Sequence, residues 1–210
     1  MIRYFKYLSM AGSIAIAIQS SVAMGQSTSL DPITPPPVPT DLRVPAGNTP
    51  FLKGHAIGTQ NYFCMPSGSG FAWKLFGPQA TLFLTFKWIN GEIQQQVATH
   101  FLSANPAEHG LPRPTWQGSL DTSAVWGQSI ASSSDPQFVA QGAIPWLKLQ
   151  VVGAQRGPTG GALLTPTTFI QRLNTSGGVM PSTGCSQSSE VGAIALVPYT
   201  ADYFFYKAGQ

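Results

Sequence analysis

Three histidines, eight carboxylic acids and two cysteines are the side chains of this 210-residue chain best suited to hold a metal ion. His100 ends a strand-like run, and Glu108 and His109 follow in a polar, proline-containing stretch. Folded back beside Asp121, these groups would supply the nitrogen and oxygen ligands that a divalent metal needs, which makes His100, Glu108 and His109 the candidate metal set. No H-E-x-x-H motif and no paired-cysteine spacing reinforces it, and a loop histidine is more often simply solvated. Calcium binding through Asp121 or Asp135 lacks carboxylate density. Glycoside hydrolysis asks for two carboxylates about 5–10 Å apart across a cleft, and none of Glu92, Glu190 or Asp202 stands informatively beside another acid.

The remaining chemistries fare no better. G-x-S-x-G and Ser-x-x-Lys are both missing, so serine hydrolysis would need a triad dispersed along the chain. The glycines of Gly153–Gly161 lack the G-x-G-x-x-G spacing and enclose Pro158, as a turn does and a phosphate cradle does not. No cofactor is expected. Aromatics are the better resource, because indole faces stack on sugar rings. Trp73, Trp88 and Trp146 are expected in the core. Trp116, between Pro114 and Gly118, is the tryptophan expected at the surface. Arg172 lies among apolar strand residues and is expected to pair with an acid such as Asp202, or to anchor a ligand if it opens into a pocket. His100, Trp116 and Arg172 are therefore the candidate ligand-binding residues.

The elements that must position these groups begin with a leader. Arg3 and Lys6 precede an uncharged apolar run, Leu8–Ile18, and then the small residues around Ala23 and Gly25. Residues 1–25 fit a cleaved export signal, too short for the ~20 residues that span a bilayer. Loss of Arg3 and Lys6 with the leader lowers the formal charge of +3 to about +1. The other cations are scattered, which disfavours nucleic acid as a partner. The expected location is secreted or periplasmic, with no integral membrane segment after cleavage. In such a compartment Cys64 and Cys185 are expected to pair.

Residues 26–43 form a Pro-rich extended segment, with Leu42, Val44 and Phe51 as apolar anchors for its docked end. Residues 44–210 form one β-rich domain. Strand-like runs recur at 58–64, 71–76, 80–89, 92–102, 115–119, 124–131, 144–152, 167–174 and 197–207, between turn signals of which Asn90-Gly91 is the clearest hairpin. Ser103–Pro114 is expected as an exposed loop. No window carries an apolar helical stripe. Roughly nine strands point to an all-β, single-domain antiparallel sandwich or closed barrel with long loops.

Six strings recur together in order: VPAGN (44–48), GHAIGTQNYFC (54–64), PTWQGS (114–119), IPWLKL (144–149), FIQRLNTSGG (169–178) and VPYTADYFFY (197–206). In this set the chain resembles domain-of-unknown-function family 3455 from about residue 42 onward. The resemblance implies a single secreted β-rich domain of bacterial and fungal proteins, and implies no activity. The expected function is a non-enzymatic module that binds a small ligand or a cell-envelope component, with a glycan among the candidates. A secreted hydrolase or metal-dependent enzyme using His100, His109 and Glu108 is the second reading, and a structural surface protein the third.

Overall fold

The computed structural model describes residues 32–88 and 91–209, so the expected leader at 1–25 and the first part of the Pro-rich segment lie outside the described residues. Eight strands follow one another: β1 (Asn48–Ser67), β2 (Gly70–Trp88), β3 (Gly91–Asn105), β4 (Leu111–Gly118), β5 (Ala124–Ser133), β6 (Trp146–Gln155), β7 (Thr167–Gly177) and β8 (Ile194–Ala208). Each pairs with its chain neighbour, and β8 returns to β1 in a ladder from Asn48↔Ala208 to Phe63↔Ile194. Of the two expected architectures the chain adopts the closed barrel. Closure depends on the 20-residue length of β1, long enough to pair along both of its sides.

Two expectations need correction. The run at 71–76 and the described part of the run at 80–89 belong to one strand, β2, which passes Pro78 with a register shift opposite Asn61 and Tyr62. Ser103–Pro114 is not an open loop. Its ends pair from Leu102↔Pro114 to Asn105↔Leu111, leaving a single 3-10 turn, Pro106–Glu108, at the tip. Proline does not break this ladder because β4 meets β5 only over Thr115–Gln117, so Pro112 and Pro114 sit where β4 has a free side.

Side-chain alternation divides the protein into an interior and a covered outer face. Leu52, Ala56, Leu82, Ala98, Trp116, Leu149, Ile170, Ala201, Tyr203 and Phe205 fill the barrel. Ala201–Tyr206 is buried at every position, which one-sided burial cannot explain. The missing cover is the Pro-rich segment. Leu42, with no exposed surface, packs with Trp146, Leu173, Phe204 and Tyr206 on the outside of the barrel. Polar bonds fix the seat: the Gln171 amide donates to the Leu42 carbonyl at 2.6 Å, and Lys148 Nζ donates to the Arg43 carbonyl at 3.0 Å. The Cys64–Cys185 disulfide ties the β7–β8 connection to β1, where backbone bonds also join Cys64 to Gly192 and Ala193.

Candidate functional site

On β3 the alternation that sends Ala98 inward also sends His100 inward, where it faces Trp116 across the β3–β4 ladder. The two rings stack at 4.2 Å and 9°, and Tyr203 packs edge-on against both, at 5.0 and 5.4 Å. Trp116 is completely buried, contrary to the expectation of a surface indole. Strand pairing of 111–114 removed the open loop that would have left it exposed. His100 Nδ1 donates to the Thr115 carbonyl at 2.9 Å, because a carbonyl can only accept. Burial lowers the imidazole pKa to about 3, the Thr115 bond opposes this, and the Arg172 charge adds to the lowering. The ring is therefore neutral, with its remaining lone pair on Nε2.

Arg172 also points into the barrel and does not meet Asp202. The β7–β8 register sets Arg172 opposite Tyr203 and Leu173 opposite Asp202, so the arginine and the acid emerge on opposite faces of the wall. Inside, Arg172 Nε and Nη2 donate to the Pro145 carbonyl at 3.2 and 2.8 Å. Outside, Asp202 accepts from His55 at 2.9 Å, Lys53 at 3.1 Å and Asn174 at 2.9 Å. Burial raises the Asp202 pKa, but these three donors together hold it below its ordinary value. His100, Trp116 and Arg172 thus share one barrel interior, although sequence reasoning placed Trp116 outside it.

The metal set is not assembled. Asn105 lies five residues beyond His100 on β3, about 16 Å at 3.3 Å per residue, and Glu108 and His109 lie beyond it again. Glu108 is bound by Arg113 Nε and Nη2 at 2.8 and 2.6 Å and by Asn105 at 2.7 Å, which keep its carboxyl pKa low. His109 is exposed and takes φ 55° where the 3-10 turn ends. Asp121 is engaged elsewhere, accepting from Leu163 N and from Ser123 N and Oγ. Among the described residues no three His, Cys, Asp or Glu side chains converge.

Two concave surfaces lie on the outer wall instead. The larger, about 530 Å³, crosses β1, β2 and β3 and is lined by Ile57, Asn61, Phe76, Gln79, Thr81, Thr99 and Phe101, with Pro78, Ala80, His100 and Leu102 also contributing. Ile57 and Phe76 are 48% and 61% exposed, a high exposure for large apolar groups. The second, about 270 Å³, runs beside it past Ser103, Gln117, Trp126, Gln155 and Arg156. Phe101 lines both, so the two form a track across β3. No Asp or Glu lines either surface. Sequence reasoning missed these residues. Their only signal was the outward parity of Thr99 and Phe101 against inward Ala98 and His100, and that parity acquires meaning only once the register with β2 is known.

Comparison with known proteins adds a family and no relative of known activity. A family described as protein of unknown function (DUF3455) matches residues 45–207. No curated protein and no solved structure matches the chain.

Proposed function

The chain belongs to the DUF3455 family of unknown function, and from that premise we propose that it is a non-catalytic glycan-binding module acting outside the cytoplasm. The observation that carries the reading is the lining of the outer track. Phe76 and Phe101 offer ring faces to the C–H side of a sugar, while Asn61, Gln79, Thr81, Thr99, Gln117 and Gln155 offer both donors and acceptors to its hydroxyls. Apart from Arg156 at one end, these amides and hydroxyls suit an uncharged polyol better than an ionic ligand. The lining holds no carboxylate, and so lacks the carboxylate pair that glycoside hydrolysis uses. A metal-dependent enzyme would need His100, Glu108 and His109 together, and the barrel holds them apart.

The test is binding of the purified protein to immobilised β-glucan, chitin, cellulose and peptidoglycan, with thermal shift by the corresponding soluble oligosaccharides. At least one glycan should give a saturable shift, and Phe76→Ala should weaken it about three- to tenfold, as expected for one aromatic contact. Phe76 is exposed, so this variant keeps its fold. Equal retention of Phe76→Ala, Phe101→Ala and wild type would remove the track from the site. No retention on any of the four polysaccharides would favour a structural or protein-partner role.

A further inference from the structure

One end of the barrel interior gathers hydrogen-bond donors in excess of acceptors. Arg172 carries five N–H groups; those on Nε and Nη2 share the Pro145 carbonyl, and the guanidinium also donates to the Tyr203 hydroxyl, which leaves it with more donors than the protein answers. None of the ion pairs among the described residues includes it. Gln60, 3% exposed, leaves Nε2 without a partner, and its side chain lies beside Gly178, which also abuts Tyr199 and Ile144. Tyr199 and Tyr203 hydroxyls stand 3.4 Å apart, so one proton of the pair stays free to donate elsewhere. The Tyr62 hydroxyl is already committed, donating to the Gly178 carbonyl at 2.7 Å. The arginine charge is felt by Tyr62 on β1, His100 on β3 and both tyrosines on β8, as a group near the barrel axis would be.

We propose that Arg172, Gln60 and the Tyr199–Tyr203 pair bind one small anion, of carboxylate or halide size, inside the barrel. A partly buried guanidinium that faces the barrel interior without a carboxylate is an arrangement that an anion would relieve. A cation would be repelled there by the Arg172 charge, with only neutral amide and hydroxyl oxygens to receive it. Water brings as many donors as acceptors and would leave the charge uncompensated. The size limit comes from the fold, since an eight-stranded barrel is filled by side chains or holds one small ligand, and Trp116, Phe205 and Leu149 already occupy much of this one. Arg172 itself is only partly buried, which leaves a way in from the Pro145 end.

The experiment compares melting of the full chain in sodium bromide, sodium formate and sodium gluconate at equal ionic strength, gluconate being too large to enter. Bromide, formate or both should raise the melting temperature saturably over gluconate, and the responding salt tells halide from carboxylate. Crystals grown in bromide should show an anomalous peak within hydrogen-bond reach of Arg172. Gln60→Leu should fold, melt higher than wild type in gluconate, and bind the anion at least tenfold more weakly. Arg172→Gln should abolish the response, and if it fails to fold, Gln60→Leu and the bromide map decide. Equal melting in all three salts, an unchanged anion response in Gln60→Leu, or a water alone at the site would each overturn the proposal. Phe76→Ala should leave the anion response intact, which separates this outcome from that of the glycan track.

Discussion

Gly157 approaches the backbone of Asp121 so closely that a Cβ built on the glycine would stand 1.9 Å from the Asp121 carbonyl oxygen. Gly161 crowds the same residue, its own Cβ position lying 2.5 Å from that of Asp121. The Asp121 carboxylate then reaches across the contact, accepting from Leu163 N at 2.7 Å through one oxygen and from Ser123 N and Oγ at 3.1 and 2.8 Å through the other. The β6–β7 loop is thereby clamped to the β4–β5 turn. Gly157→Ala should cost about 1–3 kcal/mol or more, because the obstructing atom is backbone and cannot rotate away. Gly70→Ala, with open space around its Cβ, should change stability by less than about 0.5 kcal/mol. Urea unfolding of the two variants checks both figures.

The same clamp should give the protein part of its acid sensitivity. Burial raises the Asp121 pKa, but the bonds from Leu163 and Ser123 outweigh it and hold the carboxyl below its ordinary 3.8. A carboxyl depressed on folding stabilises fully above its unfolded pKa and loses that contribution as pH falls through its folded one. Asp121→Asn should therefore be less stable than wild type at pH 7, and the gap should close below pH 3.8. Paired urea titrations from pH 7 to pH 2.5 measure it; a gap constant across that range would mean that the ionised form has no special role.

Docking of the Pro-rich segment carries a stability prediction of its own. Leu42 is fully buried on the outside of the barrel, against Leu173, Phe204 and Tyr206. Leu42→Ala should cost about 2–5 kcal/mol, the range for truncating a buried leucine. If the segment undocks rather than collapses onto the cavity, limited proteolysis will cut it early while the barrel survives. Unaltered protease resistance with unaltered stability would show that the segment adds little to the fold.

Much of this architecture is legible in the chain because periodicity is local and register is not. Gly58–Cys64 shows as a strand from its own residues, as do the β2 and β8 cores. That Tyr203–Tyr206 is buried on both faces is written in its unbroken aromatic run, yet what covers the outer face is residues 33–44, more than 150 positions away. Trp116 was misplaced for a related reason: prolines beside it look like a loop until β3 is seen to pair past them. The single-residue offset between Arg172 and Asp202 lies in the β7–β8 register, which no property of either strand alone determines. The outer track is less legible still, since it joins residues of β1, β2 and β3 that only the closed ladder brings side by side.

The disulfide should matter more than its single bond implies. Cys64 and Cys185 are 121 positions apart, and closing so long a loop restricts the unfolded chain by about 4–5 kcal/mol in the chain-entropy account. Replacing both by alanine should lower the urea midpoint accordingly. The connection that the bond holds has other attachments, among them the Trp73 indole donating to the Thr183 carbonyl at 2.9 Å. The barrel itself should therefore still form. A doubly substituted protein with loosened 178–193 but native strand content by circular dichroism is the expected result, whereas global unfolding at 25 °C would mean that the bond is required for closure.

His100 offers the sharpest pH prediction, because its ring is almost wholly buried and protonation there is unfavourable. In the unfolded chain the imidazole takes up a proton near its ordinary 6.5, whereas in the barrel it resists until about pH 3. A histidine depressed on folding contributes stability that is complete above 6.5 and is lost as pH falls from there toward the folded value. The slope is about 1.4 kcal/mol per pH unit for a single such group. The window between 6.5 and 5 separates this loss from that of the depressed carboxyls, which act lower. The groups facing the ring are Trp116, Tyr203 and, through its charge, Arg172; none of these changes charge in that window. His100→Phe keeps an aromatic ring against Trp116 but forfeits the bond to the Thr115 carbonyl, so it should be less stable than wild type at pH 7 and have a flatter stability profile between pH 6.5 and 5. Nuclear magnetic resonance of the His100 ring protons should show no titration down to pH 5 in the folded state. An imidazole shift with a midpoint near 6 would mean that the ring is reached by water, and the barrel interior would then have to be redrawn as open at this level.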